Sequence, residues 1–151
     1  MQQPRQDETA RKAWMALLAK APAERLTELW NGAGLDAEHT VLRAPETGAV
    51  MVRGRAGGTG SPFNLGEMTV TRCSIALTGG AVGHGYVPGR NRRHAEIAAL
   101  CDALMQTDRA GAVEVAILAP LREEAATRRA ALARKAAATK VEFFTMVRGD
   151  N

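Results

Sequence analysis

The spacing of apolar side chains predicts helices at the start of the chain. Trp14, Leu17 and Leu18 follow the i, i+3, i+4 spacing of a single helix face, and Asp7 is placed to cap the start of that helix. Pro22 suits the first turn of a second helix, because proline lacks only an N–H that would be unpaired there. The N-terminal part therefore predicts two consecutive helices.

Extended segments follow these helices. The stretches TVLRA (40–44) and AVMVR (49–53) flank PETG (45–48), which has proline early and glycine late, as a turn requires. This arrangement predicts a hairpin whose two strands are joined at PETG.

A second extended segment, TVTRCSIALT (69–78), alternates between apolar and polar positions. Its apolar face carries Cys73, Ile75 and Leu77, and its polar face carries Arg72, Ser74 and Thr78. Gly79-Gly80 predicts a two-residue hairpin turn into AVGHGYV (81–87). On that last strand the spacing places Gly83 and Gly85 on one face, and Val82, His84 and Tyr86 on the other.

After Pro88-Gly89 the period becomes helical. One face carries His94, Ile97, Cys101, Leu104 and Met105. The apolar run at 113–118 predicts a further strand, and Pro120 predicts the start of a long alanine-rich helix. Residues 141–147 predict a final strand or a tail that orders on a partner. The fold class expected is α+β: N-terminal helices, an antiparallel or mixed sheet with hairpins, and a long C-terminal helix.

Composition limits the classes of function. The 151 residues suffice for one domain with its own core, and 46% hydrophobic with 24% charged residues is an ordinary globular balance. Aromatic residues make up only 4%, so the core depends on small side chains, each of which buries little area. Such a chain is expected to complete its apolar burial against a partner protein. The net charge of +4 is compatible with an anionic ligand, whereas no nucleic-acid reader motif is present.

The chain also shows no targeting or membrane signal. Its first residues are polar, with no secretory pattern, and no run approaches 18 apolar residues. We therefore expect a cytoplasmic protein with reduced thiols and no contact with a membrane.

The glycine-rich stretch GRAGGTG, Gly54 to Gly60, is of a type that binds phosphate in many nucleotide-binding proteins. A Walker loop needs lysine and then serine or threonine after its last glycine, but Ser61-Pro62-Phe63 follows here. The dinucleotide spacing GxGxxG is also absent. These failures favour an ordinary strand connection. Phosphate contact through a nest of backbone N–H groups is the alternative, at Gly57, Gly58, Thr59 and Gly60.

The segment GRNRRHAE, Gly89 to Glu96, stands at the predicted start of a helix. Its positive residues oppose the helix dipole, at a cost of roughly 0.3–1 kcal/mol each before screening. A bound anion would offset that cost, which makes these residues candidate phosphate contacts: Arg90, Arg92, Arg93 and His94. The alternative is a solvated basic turn with His94 half-buried. Arg72, on the polar strand face, joins this candidate set.

No catalytic or metal constellation can be argued from the sequence. His39, His84 and His94 lack the spacing of metal ligands, so we expect no metal site. Cys73 and Cys101 lie on apolar faces and are expected in the core.

Several stretches together resemble a known family. They are WMALLAKA (14–21), RAPETG (43–48), GGTGSPFNLGEMTVTRCSIAL (57–77), GHGYVPGR (83–90), AEIAALCDALMQ (95–106), APL (119–121) and VEFFTMVRGDN (141–151). They are similar to the PhnG subunit of the bacterial phosphonate carbon–phosphorus lyase system. Asn91 stands where an acidic residue is frequent in the family, although either residue can cap a helix.

The length and pattern of the chain predict one domain over residues 1–151, with residues 1–6 as a flexible tail. The resemblance runs from about residue 10 to residue 151. It implies a core complex with subunits H, I and J and further association with subunits K and L. With partners, the family supports displacement of adenine from ATP by an alkylphosphonate, giving ribose 1-alkylphosphonate 5-triphosphate. ATP is then a co-substrate of the complex, and no cofactor belongs to this chain alone.

The resemblance carries no catalytic residue to this chain, so the catalytic residues remain unknown. Two hypotheses stay open. The chain is an essential subunit of the transferase and lyase complex that contributes interface and phosphate contacts, or it is a structural scaffold without substrate contact.

Overall fold

The computed structural model describes the backbone of residues 3–147 and the side chains of residues 7–139. In chain order the elements are α1 (Gln3–Lys20), α2 (Ala23–Ala33), β1 (His39–Arg55), β2 (Pro62–Leu77), β3 (Val82–Pro88), α3 (Arg92–Leu104), α4 (Ala110–Val113) and α5 (Ala119–Val147). The strands form one antiparallel sheet in the order β1-β2-β3. The architecture is α+β, which confirms the predicted class.

The two N-terminal helices lie as predicted, with Pro22 directly before α2. Gly34 ends α2 in the left-handed conformation, with φ of 62°, which glycine adopts without steric cost. The start of α1 differs from the prediction. The helix begins at Gln3, within the segment expected to be a flexible tail, so Asp7 lies inside it and does not cap it. Residues 1 and 2 of that segment lie outside the described residues.

The hairpin expected at PETG is absent, and this prediction was wrong. Residues 45–48 lie inside β1, which runs as one edge strand of 17 residues along β2. Shifts of register between Val41 and Arg43 and between Arg43 and Glu46 accommodate the irregular segment. Pro45 is tolerated because an edge strand has one side without ladder partners.

The second hairpin is present, but its turn is longer than two residues. The backbone N–H of Leu77 donates to the carbonyl of Ala81, so Thr78, Gly79 and Gly80 form the loop. Strand β2 is also longer than predicted, because it begins at Pro62 and not at residue 69. Its predicted faces are confirmed: Cys73, Ile75 and Leu77 are buried, whereas Arg72 and Thr78 are exposed.

Helix α3 packs against the buried face of β2 and β3. Its backbone comes close to β3 at Gly83 and Gly85, where side chains are absent. A methyl group at Gly83 would overlap the carbonyl oxygen of Ala99, and one at Gly85 would overlap that of Ala95. The two glycines therefore set the distance between the strand and the helix.

The core lies between this sheet face and the helices. Its large, fully buried aliphatic side chains come from α1, α2, β2, β3, α3 and the C-terminal helical segment: Leu18, Leu26, Ile75, Val87, Ile97, Leu104, Val113, Ile117, Leu118 and Leu121. The opposite face of the sheet is open, and Arg72, His84 and Tyr86 are exposed on it.

The C-terminal part is helical throughout its described length. The strand expected at 113–118 is wrong, because α4 continues through a π-helical segment, Glu114–Leu118, into α5. Val113, Ile117 and Leu121 recur at helical spacing and are buried.

Pro120 lies in the first turn of α5, which begins at Ala119, so the start predicted for the long helix is confirmed to within one residue. The helix continues directly from the π-helical turn, which widens the backbone where proline removes a hydrogen bond. The strand alternative for residues 141–147 is also wrong, because α5 extends to Val147. Residues 148–151 lie outside the described residues.

Candidate functional site

The arginine-rich start of α3 is exposed as predicted, and Asn91 caps the helix. The side-chain oxygen of Asn91 accepts from the backbone N–H of His94 at 2.9 Å. Arg93 pairs with Glu96 at 3.2 Å. Within the described part of the chain, Arg90 and Arg92 make no ion pair, and both side chains are exposed. They are the members of the predicted set that remain free to meet an anion.

His94 differs from its neighbours because its ring is buried. Nε2 lies 2.8 Å from the carbonyl oxygen of Leu18 and donates to it, since a carbonyl can only accept. The ring therefore connects α3 to α1 and does not face solvent. A buried ring agrees better with the alternative in which His94 packs on the apolar face of the helix than with contact to a phosphate.

The glycine-rich stretch connects β1 to β2, as the strand-connection reading predicts. Gly57 and Gly58 have φ of 61° and 79°, and the N–H of Gly60 donates to the carbonyl of Ala56 at 2.9 Å. No helix follows the loop, so it lacks the helix N-terminus on which Walker loops depend.

The structure separates this loop from the start of α3. The N–H of Gly89 donates to the carbonyl of Thr69, so the start of α3 lies beside that residue. Pro62, next to the glycine loop, is seven strand residues away, or about 24 Å at about 3.4 Å per residue. The two candidate phosphate sites are therefore distinct.

Arg72 lies on the open sheet face, with Glu46 opposite it on β1. Its guanidinium donates to Oε1 of Glu46 from Nε at 2.9 Å and from the terminal nitrogen at 2.7 Å. Arg43 donates to the same oxygen at 2.9 Å. These hydrogen bonds lower the pKa of Glu46, and the contribution of Arg72 is the larger of the two. One carboxylate therefore engages both cations.

The open face also holds a serine–histidine pair that the sequence analysis did not predict. Ser74 and His84 face each other across β2 and β3, and Oγ lies 2.8 Å from Nδ1. Among the described residues no carboxylate contacts this histidine ring, so no third group orients it as in a catalytic triad. The pairing depends on the 78–80 loop, which is one residue longer than the predicted Gly79-Gly80 turn.

Asp102 is the second group that sequence reasoning missed. It lies on α3, fully buried, and accepts from both Nε and the terminal nitrogen of Arg11, at 3.1 and 2.8 Å. The indole N–H of Trp14 and the backbone N–H of His84 each donate to it at 2.9 Å. The hydrogen bonding that Arg11 donates to Asp102 is the largest cause of the raised pKa of Arg11. With four donors around it, this carboxylate joins α1, β3 and α3.

The two thiols are buried, which confirms the prediction of core cysteines. Burial raises the pKa of Cys101 to about 12, and it is also the first cause of the raised pKa of Cys73. Neither thiol is suited to act as a nucleophile near neutral pH.

The described residues include no group of three or more His, Cys, Asp or Glu side chains placed to hold a metal ion. Over the same part of the chain, no helix combines the length and apolar character needed to cross a membrane. A cavity of about 580 Å³ opens between the end of β2 and the segment after α3, where Asp36, Glu38 and Arg109 line it. None of the predicted site residues lines this cavity.

Comparison with known proteins identifies a family and a curated relative. Residues 9–149 match a protein-family model described as phosphonate metabolism protein PhnG. A curated protein of Rhizobium meliloti (strain 1021), named alpha-D-ribose 1-methylphosphonate 5-triphosphate synthase subunit PhnG, is 44% identical over 145 residues. That alignment covers 93% of this chain and 90% of the relative.

Proposed function

Because the chain belongs to the family of phosphonate metabolism protein PhnG, we propose that it is a subunit of the carbon–phosphorus lyase core complex. With its partners it supports displacement of adenine from ATP by an alkylphosphonate, giving ribose 1-alkylphosphonate 5-triphosphate. The observation that carries this proposal is the near-complete match to the Rhizobium meliloti protein, whose name specifies a synthase subunit for the methyl form of that product.

The proposed partners are subunits H, I and J of the core and subunits K and L, with ATP and the phosphonate as substrates of the assembly. The chemistry of this chain supports a dependent role. The buried polar side chains of its described residues, Thr71, His94 and Asp102, are used in internal contacts, and both thiols are protonated in the core. We therefore propose that the bond-breaking groups come from partner subunits.

The contribution proposed for this chain is electrostatic. Arg90 and Arg92 lie at the start of α3, exposed and without an ion pair in the described part of the molecule. A triphosphate beside them would gain charge-assisted hydrogen bonds of about 1.5–3 kcal/mol each. Arg72 is held by Glu46, and the Gly57–Gly60 loop is too distant to share the same triphosphate, so these residues remain separate candidates.

The test is adenine release from ATP and methylphosphonate by the complex assembled from co-expressed subunits. We expect Arg90→Ala and Arg92→Ala to leave assembly intact and to lower turnover about tenfold or more, as the loss of one charge-assisted contact predicts. Arg128→Ala, which removes an exposed arginine on α5, is the matched control.

The alternative function is a scaffold without substrate contact. The internal engagement of Arg72, Arg93 and His94 favours it, since three of the predicted contacts already have protein partners. Full turnover in both arginine variants, with assembly intact, would establish the scaffold and reject the phosphate contact. Adenine release by the isolated chain would reject both readings.

A further inference from the structure

Strands β1 and β2 extend well beyond the rest of the sheet. Strand β3 pairs with β2 only from Val70 to Ala76, whereas β1 continues along β2 as far as Pro62. Residues 49–55 of β1 and 62–69 of β2, with the loop between them, form a two-stranded extension that we call the arm. A two-stranded hairpin is marginally stable in water without a surface to pack on.

One face of the arm is apolar along its length. Val50 pairs with Met68, and paired residues on neighbouring strands share a face. Between Val52 and Arg53 the register shifts by one residue on β2, which brings Phe63 opposite Gly54. The apolar strip on this face comprises Val50, Val52, Phe63, Leu65 and Met68.

Leu65 belongs to this strip through its contact with Gly54. A Cβ added at Gly54 would lie 2.7 Å from Cδ1 of Leu65, so the leucine occupies the space over the glycine. The opposite face of the arm is largely polar and carries Met51, Arg53, Asn64 and Glu67. The arm is therefore amphipathic, and its register determines which side chains face each side.

The β2 side of the apolar strip is open to solvent, whereas Val50 and Val52 on β1 are half-buried. Phe63, Leu65 and Met68 expose 46%, 62% and 41% of their surface, and every residue from 61 to 68 is exposed. The strip continues the open face of the sheet, where Arg72 and Tyr86 follow it toward the body of the protein. Neighbouring apolar side chains on an unsupported hairpin are characteristic of an interaction surface.

The charges on both faces of the arm and beside it indicate what kind of surface covers the strip. Residues 43–72 contain four arginines, Arg43, Arg53, Arg55 and Arg72, against two glutamates. Arg43 and Arg72 lie on the side of the strip and share Glu46, whereas Arg53 and Arg55 lie on the opposite face with Glu67, so each side carries one net positive charge. A second copy would place like charges together, in a chain whose net charge is already +4. A partner that combines an apolar groove with a surplus of carboxylates meets both features.

We propose that the strip on the arm docks into an apolar groove of a net-acidic partner subunit. The inference rests on the proposed function, since that function supplies the partner proteins. It locates one contact of the assembly on the arm, away from the candidate phosphate contacts at Arg90 and Arg92.

The test compares neighbouring positions on opposite faces of the arm. Met68→Glu and Leu65→Asp each place a carboxylate on the strip, and Met51→Glu places one on the opposite face, where Met51 is 52% exposed. The full chain carries an affinity tag and is co-expressed with the other core subunits. Recovery of those subunits is measured by quantitative mass spectrometry, and thermal unfolding of each purified variant alone checks its folding.

We expect Met68→Glu and Leu65→Asp to reduce recovery of the partner subunits at least tenfold, with Met51→Glu close to the wild type. Wild-type recovery in both strip variants, or an equal loss in Met51→Glu, would overturn the inference and leave the proposed function standing. Failure of the wild-type chain to recover any subunit would overturn the proposed function itself. Dimerisation of the isolated chain that Met68→Glu abolishes would instead assign the strip to a second copy.

Discussion

The indole N–H of Trp14 donates a 2.9 Å hydrogen bond to Oδ1 of Asp102, which joins two helices across 88 residues of sequence. The carboxylate is fully buried and also receives the guanidinium of Arg11. A buried carboxylate is tolerated only when its lone pairs are occupied, and here donors from α1 and β3 occupy them. Asp102 therefore joins α1 to α3 at a second buried polar contact, beside the one that His94 makes with Leu18.

We expect Asp102→Asn to destabilise the fold. The carboxylate accepts four hydrogen bonds, whereas the amide nitrogen of asparagine would place donors opposite some of the same donors. Removing one partner of a buried ion pair costs about 3–5 kcal/mol. The side chain of Arg11 is 34% exposed, so solvent screening lowers the expected loss to about 2–3 kcal/mol. Guanidinium unfolding followed by circular dichroism measures the change.

Asp108→Asn is the control for that experiment, since Asp108 is exposed on the segment after α3. Its effect should lie within about 0.5 kcal/mol, as for most surface changes. Equal unfolding midpoints for the Asp102 variant and this control would show that the buried contacts contribute little.

Gly85→Ala should be strongly destabilising, because the added methyl group meets the carbonyl oxygen of Ala95. Overpacking a close contact costs about 1–3 kcal/mol or more, since the backbone of α3 must move. Gly79→Ala is the matched control, as nothing lies within 4 Å of the corresponding position. Thermal unfolding measures both variants, and similar midpoints would contradict the close approach of strand and helix.

The buried thiol of Cys101 predicts a loss of stability at high pH. Burial raises its pKa from the ordinary 9.0 to about 12, so between these values the unfolded chain releases a proton that the folded chain retains. The free energy of unfolding should then fall by up to about 1.4 kcal/mol per pH unit above pH 9. Denaturant unfolding from pH 8 to 11 measures the slope.

Cys101→Ala is the control for this slope, because it removes the thiol and leaves the other titrating groups in place. Its stability should depend less steeply on pH than that of the wild type. Identical slopes in the two proteins would show that the thiol does not contribute.

His94→Ala should lower stability by about 1–3 kcal/mol, since the carbonyl of Leu18 loses its donor in a buried place. His94→Gln, whose amide can also donate, should recover part of that loss. Unfolding midpoints and turnover of the assembled complex are measured together. A large fall in turnover in the glutamine variant, without a fall in stability, would favour the substrate role that the sequence suggested.

The sequence predicts those parts of the fold in which neighbouring residues carry the signal. The alternation of Cys73, Ile75 and Leu77 defined a strand face, and the spacing of Ile97, Cys101 and Leu104 defined a helix face. The PETG turn failed because turn propensity is local, whereas pairing along the whole of β2 keeps β1 extended. The apolar run at 113–118 is compatible with either a strand or a buried helix turn.

The candidate site was predicted unevenly for similar reasons. Exposed charges such as Arg90 and Arg92 lie where the helix start predicts them. The contacts of Asp102 could not be anticipated, because its side-chain donors Arg11 and Trp14 lie about 90 residues earlier in the chain. The contact between Ser74 and His84 could be predicted only if the length of the loop between their strands were known to within one residue.

The glycines of β3 also restrict how this sequence can change by mutation. Any single substitution at Gly83 or Gly85 meets backbone atoms of α3, which cannot rotate away as a flexible side chain can. A larger residue becomes accessible only if the helix shifts as a rigid body, and that shift would disturb the contacts of Asp102 and His94. Each single substitution on the way to such a coordinated change gives a less stable protein. Neutral mutations are therefore not expected to accumulate at either position.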